Sequence, residues 1–201
     1  MPFSMIVATH NSNKLREIEQ ILGPDSGISL FSGMDFPDLT PPEETGSTFE
    51  ENARIKAEFY AKACQLPALG DDSGLEVDAL DGRPGVYSAR YAPTDAERIS
   101  KLLEELKDVD GGERSARFRC AMCLAWPDRI IAEESGTIEG FIARSPKGSN
   151  GFGYDPVFAL ELDGIHLSEI SAEEKNRISH RGKALHAVIS AVESLAAKIV
   201  P

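Results

Sequence analysis

Residues 5–14, MIVATHNSNK, carry the clearest indication of the fold class. Residues 5–9 are a short apolar run of the kind that forms a buried β-strand. Residues 11–13 are Asn and Ser, which cap helices, and residues 14–22 then place apolar side chains at helical spacing. Because a buried strand that leads directly into a helix is typical of α/β proteins, this stretch predicts that class.

The rest of the chain repeats the alternation of strand and helix. The S/T-x-x-E spacing of a capping box occurs at residues 47–50, 94–97 and 171–174 and predicts three more helices, the first ending near Cys64. Further strands are predicted at residues 28–31, 66–72, 75–77, 116–126, 129–142 and 157–160. We therefore predict an α/β fold with a mixed, twisted sheet flanked by helices. A cleft between two lobes of such a fold would favour a small ligand.

Composition sets the broad class of protein. The chain has 201 residues, of which 41% are hydrophobic and 27% charged, as in an ordinary soluble globular protein. No apolar run is long enough to span a bilayer, and the first residues do not resemble a signal peptide. We therefore expect a cytoplasmic protein with no membrane partner.

The charge balance narrows the choice of ligand. With 21 basic and 33 acidic residues the formal net charge is −12, which argues against a nucleic-acid surface. A small phosphorylated ligand remains compatible, because a few cations or a metal ion reverse the field locally. Cys120 and Cys123 form a C-x-x-C, but on a strand they would point to opposite faces, so we expect packing rather than metal binding.

Two stretches have the residues of a phosphate and metal site. Residues 9–14 (THNSNK) lie where a strand meets a helix N-terminus, a place that favours anions, although a capped helix with a solvated Lys would read the same. Asp71 and Asp72 follow an apolar strand and suit a hard cation, although an Asx turn would also explain them. Since strand neighbours alternate faces, we expect these two carboxylates to have different roles.

Three further groups of residues are candidates. Glu43 or Glu44 lies before a helix on which Asn52 and Lys56 share a face at i, i+4 spacing. Aromatic residues on a glycine-spaced loop, GFGYDP at 151–156, are able to stack on a base or to fill a core. The basic stretch KNRISHR at 175–181 is unusual in so acidic a chain and suggests phosphate or base contact, unless it pairs with surface acids.

In their order along the chain these motifs resemble the inosine triphosphate pyrophosphatase family, also called Ham1-like. The resemblance covers nearly the whole chain and is carried by five blocks: ATHNSNK, EETGSTFEENARIKA, DDSGLEVDALDGRPGVYSARYA, GFGYDPVF and EISAEEKNRISHRGKAL. It implies that residues 1–201 form a single domain of two lobes with a central active-site cleft, and that the protein is a homodimer. It also implies Mg²⁺-dependent hydrolysis of ITP, dITP and XTP to the monophosphate and pyrophosphate, which cleanses the nucleotide pool.

The resemblance also assigns roles to residues. It implies that Asp72 is catalytic with the help of Lys56, and that Glu44 and Asp72 hold the metal, with Glu43 the less favoured choice. The residues that it implies for the substrate are Thr9, His10, Asn11, Ser12, Asn13, Lys14, Ser73, Phe152, Gly153, Tyr154, Asp155, Lys175, His180 and Arg181. Phe152 is the residue expected to stack on the base.

Two other functions compete with this one. The first is a pyrophosphatase of broader or pyrimidine specificity, or a Maf-like enzyme, which a panel of substrates would separate. The second is a nucleotide-binding sensor without turnover. The acidic pairs at 43–44 and 71–72 argue against the sensor, because a protein that only binds nucleotide has no need of metal-binding carboxylates.

Overall fold

The computed structural model describes residues 3–199, with side chains to residue 197. Its single sheet has the strand order β2-β1-β3-β4-β5-β6. The strands are β1 (Phe3–Val7), β2 (Ile28–Ser32), β3 (Ala68–Val77), β4 (Ser115–Trp126), β5 (Arg129–Ile142) and β6 (Phe158–Ala159). The helices are α1 (Ser12–Leu22), α2 (Phe49–Cys64), α3 (Asp95–Glu105), α4 (Ala172–Ile178) and α5 (His180–Ile199).

Pairing in the sheet is mixed, as the sequence predicts. β1 runs parallel to β2 and to β3, whereas β5 and β6 are antiparallel. β4 and β5 are neighbours joined by two residues, Pro127 and Asp128, so the strands predicted at 116–126 and 129–142 form a hairpin. The fold class is therefore α/β. No helix within residues 3–199 combines the length and apolarity needed to cross a membrane.

The chain divides into two compact units. Unit 1 contains residues 1–72, 120–136 and 180–201, and unit 2 contains residues 73–119 and 137–179. In unit 1, apolar residues of β1, β4 and α5 form one buried cluster, to which α5 contributes Leu185, Val188, Val192 and Leu195 at helical spacing. In unit 2 a separate cluster gathers residues such as Leu75, Leu102, Ile138 and Phe158. Each unit thus has a core of its own.

Some predicted boundaries were wrong. The segments predicted at 66–72 and 75–77 are one continuous strand, β3, although Ser73 and Gly74 are weak strand formers. The capping box of α2 is Thr48 with Glu51 rather than Ser47 with Glu50. At residue 171 only half of the predicted box forms, because the Ser171 side chain accepts from the Glu174 amide without the reciprocal bond.

The final predicted helix is in fact two helices. α4 ends at Ile178 and α5 begins at His180, because Ser179 has extended backbone angles (φ −67°, ψ 161°). This break places His180 and Arg181 in the first turn of α5 rather than in the middle of a longer helix.

Close packing of β3 against α2 depends on a glycine. A Cβ atom built on Gly70 would lie 2.0 Å from the carbonyl oxygen of Ala53, so no larger residue fits there. Ala53 belongs to the buried stripe of α2, together with Phe49, Ala57 and Tyr60, as the helical spacing predicts. The close approach brings the residues that follow Gly70 against the same helix.

Candidate active site

Two adjacent carboxylates, Asp71 and Asp72, lie on β3 just beyond the end of the neighbouring strand. β1 stops at Val7, whose partner on β3 is Leu69. The prediction that these two residues end their own strand is therefore wrong, because β3 continues to Val77. Because side chains on a strand alternate in direction, the two carboxylates have different partners, as expected.

Asp71 lies at the centre of a buried ion-pair network. Its Oδ1 is 2.6 Å from Nζ of Lys14, and its Oδ2 is 2.7 Å from Nε of Arg181. Nη1 of Arg181 in turn donates to Glu17, three residues after Lys14 on α1. The thiol of Cys120 also donates to Asp71 Oδ2 at 3.4 Å. The network ties α1, β3, β4 and α5 together inside unit 1.

Charge keeps Asp71 ionised. Burial raises the pKa of Asp71, but the charges of Arg181 and Lys14 and their hydrogen bonds outweigh it and hold the pKa well below its usual range. The side chain is fully buried. A carboxylate that is so firmly ionised and so fully paired is a poor proton acceptor, so its role here is to hold cations in place.

Asp72 lies among the polar residues of α2. Its Oδ1 accepts from Nζ of Lys56 at 2.8 Å, and its Oδ2 accepts from Nδ2 of Asn52 at 3.2 Å. The i, i+4 pair predicted from the sequence therefore reaches the same carboxylate. The other end of the Asn52 amide accepts from the Gly46 amide at 2.8 Å, which fixes the loop that carries Glu44.

The pKa of Asp72 shifts in the opposite direction from that of Asp71. Burial raises the pKa of Asp72 above its usual value, and the charges of Lys56 and Lys14 only partly oppose this. The nearby Glu44 carboxylate also raises it. A carboxylate with a raised pKa holds a proton more tightly than an ordinary Asp, which is what a general base requires.

The residues around Asp72 suit a hard divalent cation. Nζ of Lys56 is 2.7 Å from Oε1 of Glu44 and 2.8 Å from Asp72, so two carboxylates already converge on one positive charge. Within residues 3–199 no three His, Cys, Asp or Glu side chains gather into a metal site. Mg²⁺ fits this donor set, because it commonly binds one or two carboxylates and takes its remaining ligands from water and substrate phosphates.

At the start of α1, some backbone amides have a hydrogen-bond acceptor and others do not. Asn11 caps the helix, because its Oδ1 accepts from the amides of Asn13 at 2.9 Å and Lys14 at 3.3 Å. The amide of Asn11 itself donates to Oγ1 of Thr9 at 3.1 Å. Within the described part of the chain the amides of His10 and Ser12 have no acceptor. Those two amides and the Lys14 ammonium are the donors that an anion would find here.

In unit 2 the aromatic loop is held from within. Asp155 is buried, and its Oδ2 accepts from the Phe152 amide at 2.8 Å and from Nζ of Lys175 at 2.5 Å. The Lys175 ammonium also lies 4.7 Å from the centre of the Phe152 ring. Tyr154 is buried and donates its hydroxyl to the carbonyl of Ser88 at 3.0 Å. Phe152 and Gly153 are only half-buried, so they remain accessible to a ligand.

The predicted site residues thus form two groups. Thr9, the residues of 10–14, Glu44, Lys56, Asp72, His180 and Arg181 belong to unit 1, and Ser73, Phe152–Asp155 and Lys175 belong to unit 2. Arg181, predicted to contact the base, is buried in its ion pairs with Asp71 and Glu17. Glu43 is exposed, whereas Glu44 is the one that pairs with Lys56.

Two residues of the site were missing from the prediction. Glu17 carries no local signal beyond its i, i+3 relation to Lys14, and its partner Arg181 is 164 residues away. Asn52 shares a helix face with Lys56, but the sequence alone gives it no role in the site. Its two hydrogen bonds, to Asp72 and from Gly46, make it the residue that positions both acidic segments.

Comparison with known proteins gives a consistent result. A model of the Ham1 family matches residues 5–191. The dITP/XTP pyrophosphatase of Halalkalibacterium halodurans is 50% identical over 90% of this chain and 94% of its own length. That of Thermus thermophilus is 49% identical over 93% of this chain and 90% of its own length.

Solved structures agree with the sequence comparisons. A HAM1 protein from Coxiella burnetii matches with a TM-score of 0.85 and 44% identity, covering 96% of this chain and 99% of the other. The Ham1 protein of Staphylococcus aureus matches with a TM-score of 0.83 and 38% identity, with the same coverage.

Proposed function

Because the chain belongs to the Ham1 family, we propose that it hydrolyses non-standard purine nucleoside triphosphates such as ITP, dITP and XTP to the monophosphate and pyrophosphate. The observation that carries the proposal is the environment of Asp72, a buried carboxylate with a raised pKa that Asn52 and Lys56 hold beside Glu44. Relatives that share about half of their residues with this chain are named dITP/XTP pyrophosphatases, which supports the choice of substrate.

In the reaction that we propose, Asp72 orients a water molecule and accepts its proton. The water oxygen forms a bond to the α-phosphorus, and the bond from that phosphorus to the α–β bridging oxygen breaks. Pyrophosphate leaves with the bridging oxygen and its electron pair. The Lys14 ammonium and the free amides of His10 and Ser12 would bind the phosphate oxygens. Such catalysis consists mainly of positioning and electrostatic stabilisation.

A divalent metal is part of the proposal, and Mg²⁺ is the one we favour. Glu44 and Asp72 would hold it, and when bound it would neutralise the charge that develops on the phosphates. Lys56 lies between the same two carboxylates. We propose that the Lys56 ammonium then turns toward the phosphates as a second positive charge.

Base selection is assigned to residues of unit 2. We propose that the half-buried Phe152 ring stacks on the purine. The Lys175 ammonium beside that ring is a donor that favours the 6-oxygen of ITP and XTP, whereas the 6-amino group of ATP is itself a donor. Sites built on hydrogen bonds discriminate by about 10⁴-fold or more. We propose that His180 and Arg181 support the nucleotide site from within unit 1, Arg181 through its ion pair with Asp71.

A substrate panel tests the function. ITP, XTP, dITP, GTP and ATP are incubated with the protein and Mg²⁺, and pyrophosphate and orthophosphate are measured separately. We expect pyrophosphate from ITP, XTP and dITP and little turnover of ATP. Comparable kcat/KM for ATP and ITP would favour an enzyme of broader specificity, and orthophosphate as the first product from every substrate would exclude the reaction proposed. Binding without turnover would point to the nucleotide sensor.

The oligomeric state, the location and the partners of the whole protein are also proposals. We propose that it is a homodimer of the cytoplasm with neither nucleic acid nor membrane as partner. The net charge of −12 supports the exclusion of nucleic acid. Sedimentation equilibrium tests the dimer, and a mass of 21.8 kDa at every concentration would contradict it.

A further inference from the structure

Among the residues that the structure describes, two arginines are almost completely buried, and their surroundings differ. Arg181 in unit 1 has carboxylate partners on both sides, Asp71 and Glu17. Arg114 in unit 2 is 2% exposed and has no carboxylate partner within residues 3–199. Glu113, its neighbour along the chain, is exposed and forms no ion pair in the same described range. Burying a charge without a counter-charge is costly, so Arg114 needs an explanation.

The hydrogen bonds of Arg114 leave much of its guanidinium unused. Nη2 donates to the carbonyl oxygen of Ala143 at 3.4 Å, which is a long contact. Nε is buried and has no hydrogen-bond partner among the described residues. A guanidinium carries five N–H donors in a planar fork, and that fork matches the oxygens of a phosphate or carboxylate.

A second arginine lies beside the first. The carbonyl oxygen of Arg114 accepts from the amide of Ile142 at 2.9 Å, and Nη2 of Arg114 donates to the carbonyl oxygen of Ala143. Because Arg144 directly follows Ala143, it lies near the Arg114 side chain. Burial lowers the pKa of Arg114, and the positive charge of Arg144 lowers it further. Arg144 is exposed and forms no ion pair within the described part of the chain. Two like charges are thus held close together, and neither has an acidic partner among the described residues.

We propose that Arg114 and Arg144 form a binding site for a phosphate-class oxyanion in unit 2. The anion would accept from the unpartnered Nε of Arg114 and be reached by Arg144 from the solvent side. A water molecule would satisfy one N–H but would leave two positive charges uncompensated, whereas a phosphate dianion supplies both acceptors and charge. The source is inorganic phosphate, pyrophosphate or the phosphate group of a nucleotide, which share this chemistry.

The direct test observes Arg114 itself. In the ¹⁵N-labelled protein the Nε–Hε signal of Arg114 is identified by its loss in Arg114→Lys. Inorganic phosphate, pyrophosphate and a nucleoside monophosphate are then titrated separately at constant ionic strength, with chloride and acetate as comparison anions. We expect a saturable shift of that signal with at least one phosphate-class anion and none with chloride or acetate. The anion that saturates at the lowest concentration identifies the source.

Variants separate this site from others that bind phosphate. Because Arg144 is exposed, Arg144→Gln should fold normally and weaken binding at the Arg114 signal by roughly tenfold, as expected for one charge-assisted hydrogen bond. Arg129→Gln, a change at an exposed arginine of unit 1, is the matched control and should have no effect. Lys14→Ala should likewise leave the Arg114 titration unchanged.

Several results would overturn the proposal. They are the absence of any shift at millimolar phosphate, an equal shift with chloride or acetate, a linear response that never saturates, and an unchanged affinity in Arg144→Gln. Each would show that Arg114 is a buried cation satisfied without an anionic ligand.

Discussion

Asp71 and Asp72 are neighbours on β3, but they point to opposite faces of the strand and their pKa values shift in opposite directions. Asp71 is enclosed by Arg181 and Lys14, and its pKa is held well below the usual range. Asp72 lies against α2, with one lysine and one amide, and its pKa is raised. The difference shows that burial alone does not set the role of a carboxylate. At Asp71 the cations outweigh the effect of burial on the pKa, whereas at Asp72 burial and the nearby Glu44 carboxylate outweigh the cations.

Several charged residues of unit 1 surround Asp71, although Asp71 itself is not proposed to react. Lys14 is held by Asp71 at the start of α1, close to the free amides of His10 and Ser12. Arg181 and Glu17 hold Asp71 in turn. Asp71 therefore positions the proposed phosphate donors, while Asp72 remains available for proton transfer.

The largest effect is expected from Asp72→Asn. This change removes the proposed proton acceptor and a metal-binding oxygen, so kcat/KM for ITP should fall by about 10⁴-fold, or about 5 kcal/mol of activation free energy. The fold should persist, because Lys56 keeps its ion pair with Glu44. Steady-state kinetics and thermal unfolding of the same sample check both points. Turnover within a few-fold of the wild type would show that Asp72 is not the base.

Asp71→Asn should reverse the pattern and mainly reduce stability. It would leave Arg181 and Lys14 with an uncompensated charge, at a cost of about 4 kcal/mol in the free energy of unfolding near pH 7. Because the folded pKa of Asp71 is lowered, its ion pairs stabilise the protein above the unfolded pKa of about 4, and this is lost as the pH falls toward the folded value.

Urea unfolding at a series of pH values measures this effect. The difference in the free energy of unfolding between the wild type and Asp71→Asn should be largest at neutral pH and should decrease below about pH 4. Asp128→Asn, at an exposed pair with Arg129, is the matched control and should change stability by less than about 0.5 kcal/mol. A gap that does not depend on pH would mean that Asp71 acts through packing rather than charge.

A smaller effect is expected from Lys56→Met, which tests how the charge of Lys56 influences Asp72. Activity should fall by about 10²-fold, or about 3 kcal/mol, with the loss of one charge near the phosphates. Because the Lys56 charge lowers the pKa of Asp72, its removal should move the acid limb of the pH profile of kcat/KM to higher pH. Lys62→Met, at an exposed residue of the same helix, is the control. An unchanged acid limb would show that the charge of Lys56 does not affect the pKa of Asp72.

Local patterns in the sequence predicted much of this arrangement. The period of two along a strand separates Asp71 from Asp72, and the helical period places Asn52 with Lys56. The pairing of Glu17 with Arg181 was not predictable in this way, because it depends on the packing of α1 against α5 rather than on any local period. The break at Ser179 was also missed, since neither Gly nor Pro marks it.

Hydrolysis of ITP in ¹⁸O-labelled water shows which phosphorus atom the water attacks. Attack of water on the α-phosphorus places the label in the monophosphate and leaves pyrophosphate unlabelled, and mass spectrometry of the two products reads this outcome. We predict one ¹⁸O atom in IMP and none in pyrophosphate at the rate of the wild-type enzyme, with the reaction nearly abolished in Asp72→Asn. Label in the pyrophosphate would place the attack on the β-phosphorus and contradict the proposed mechanism.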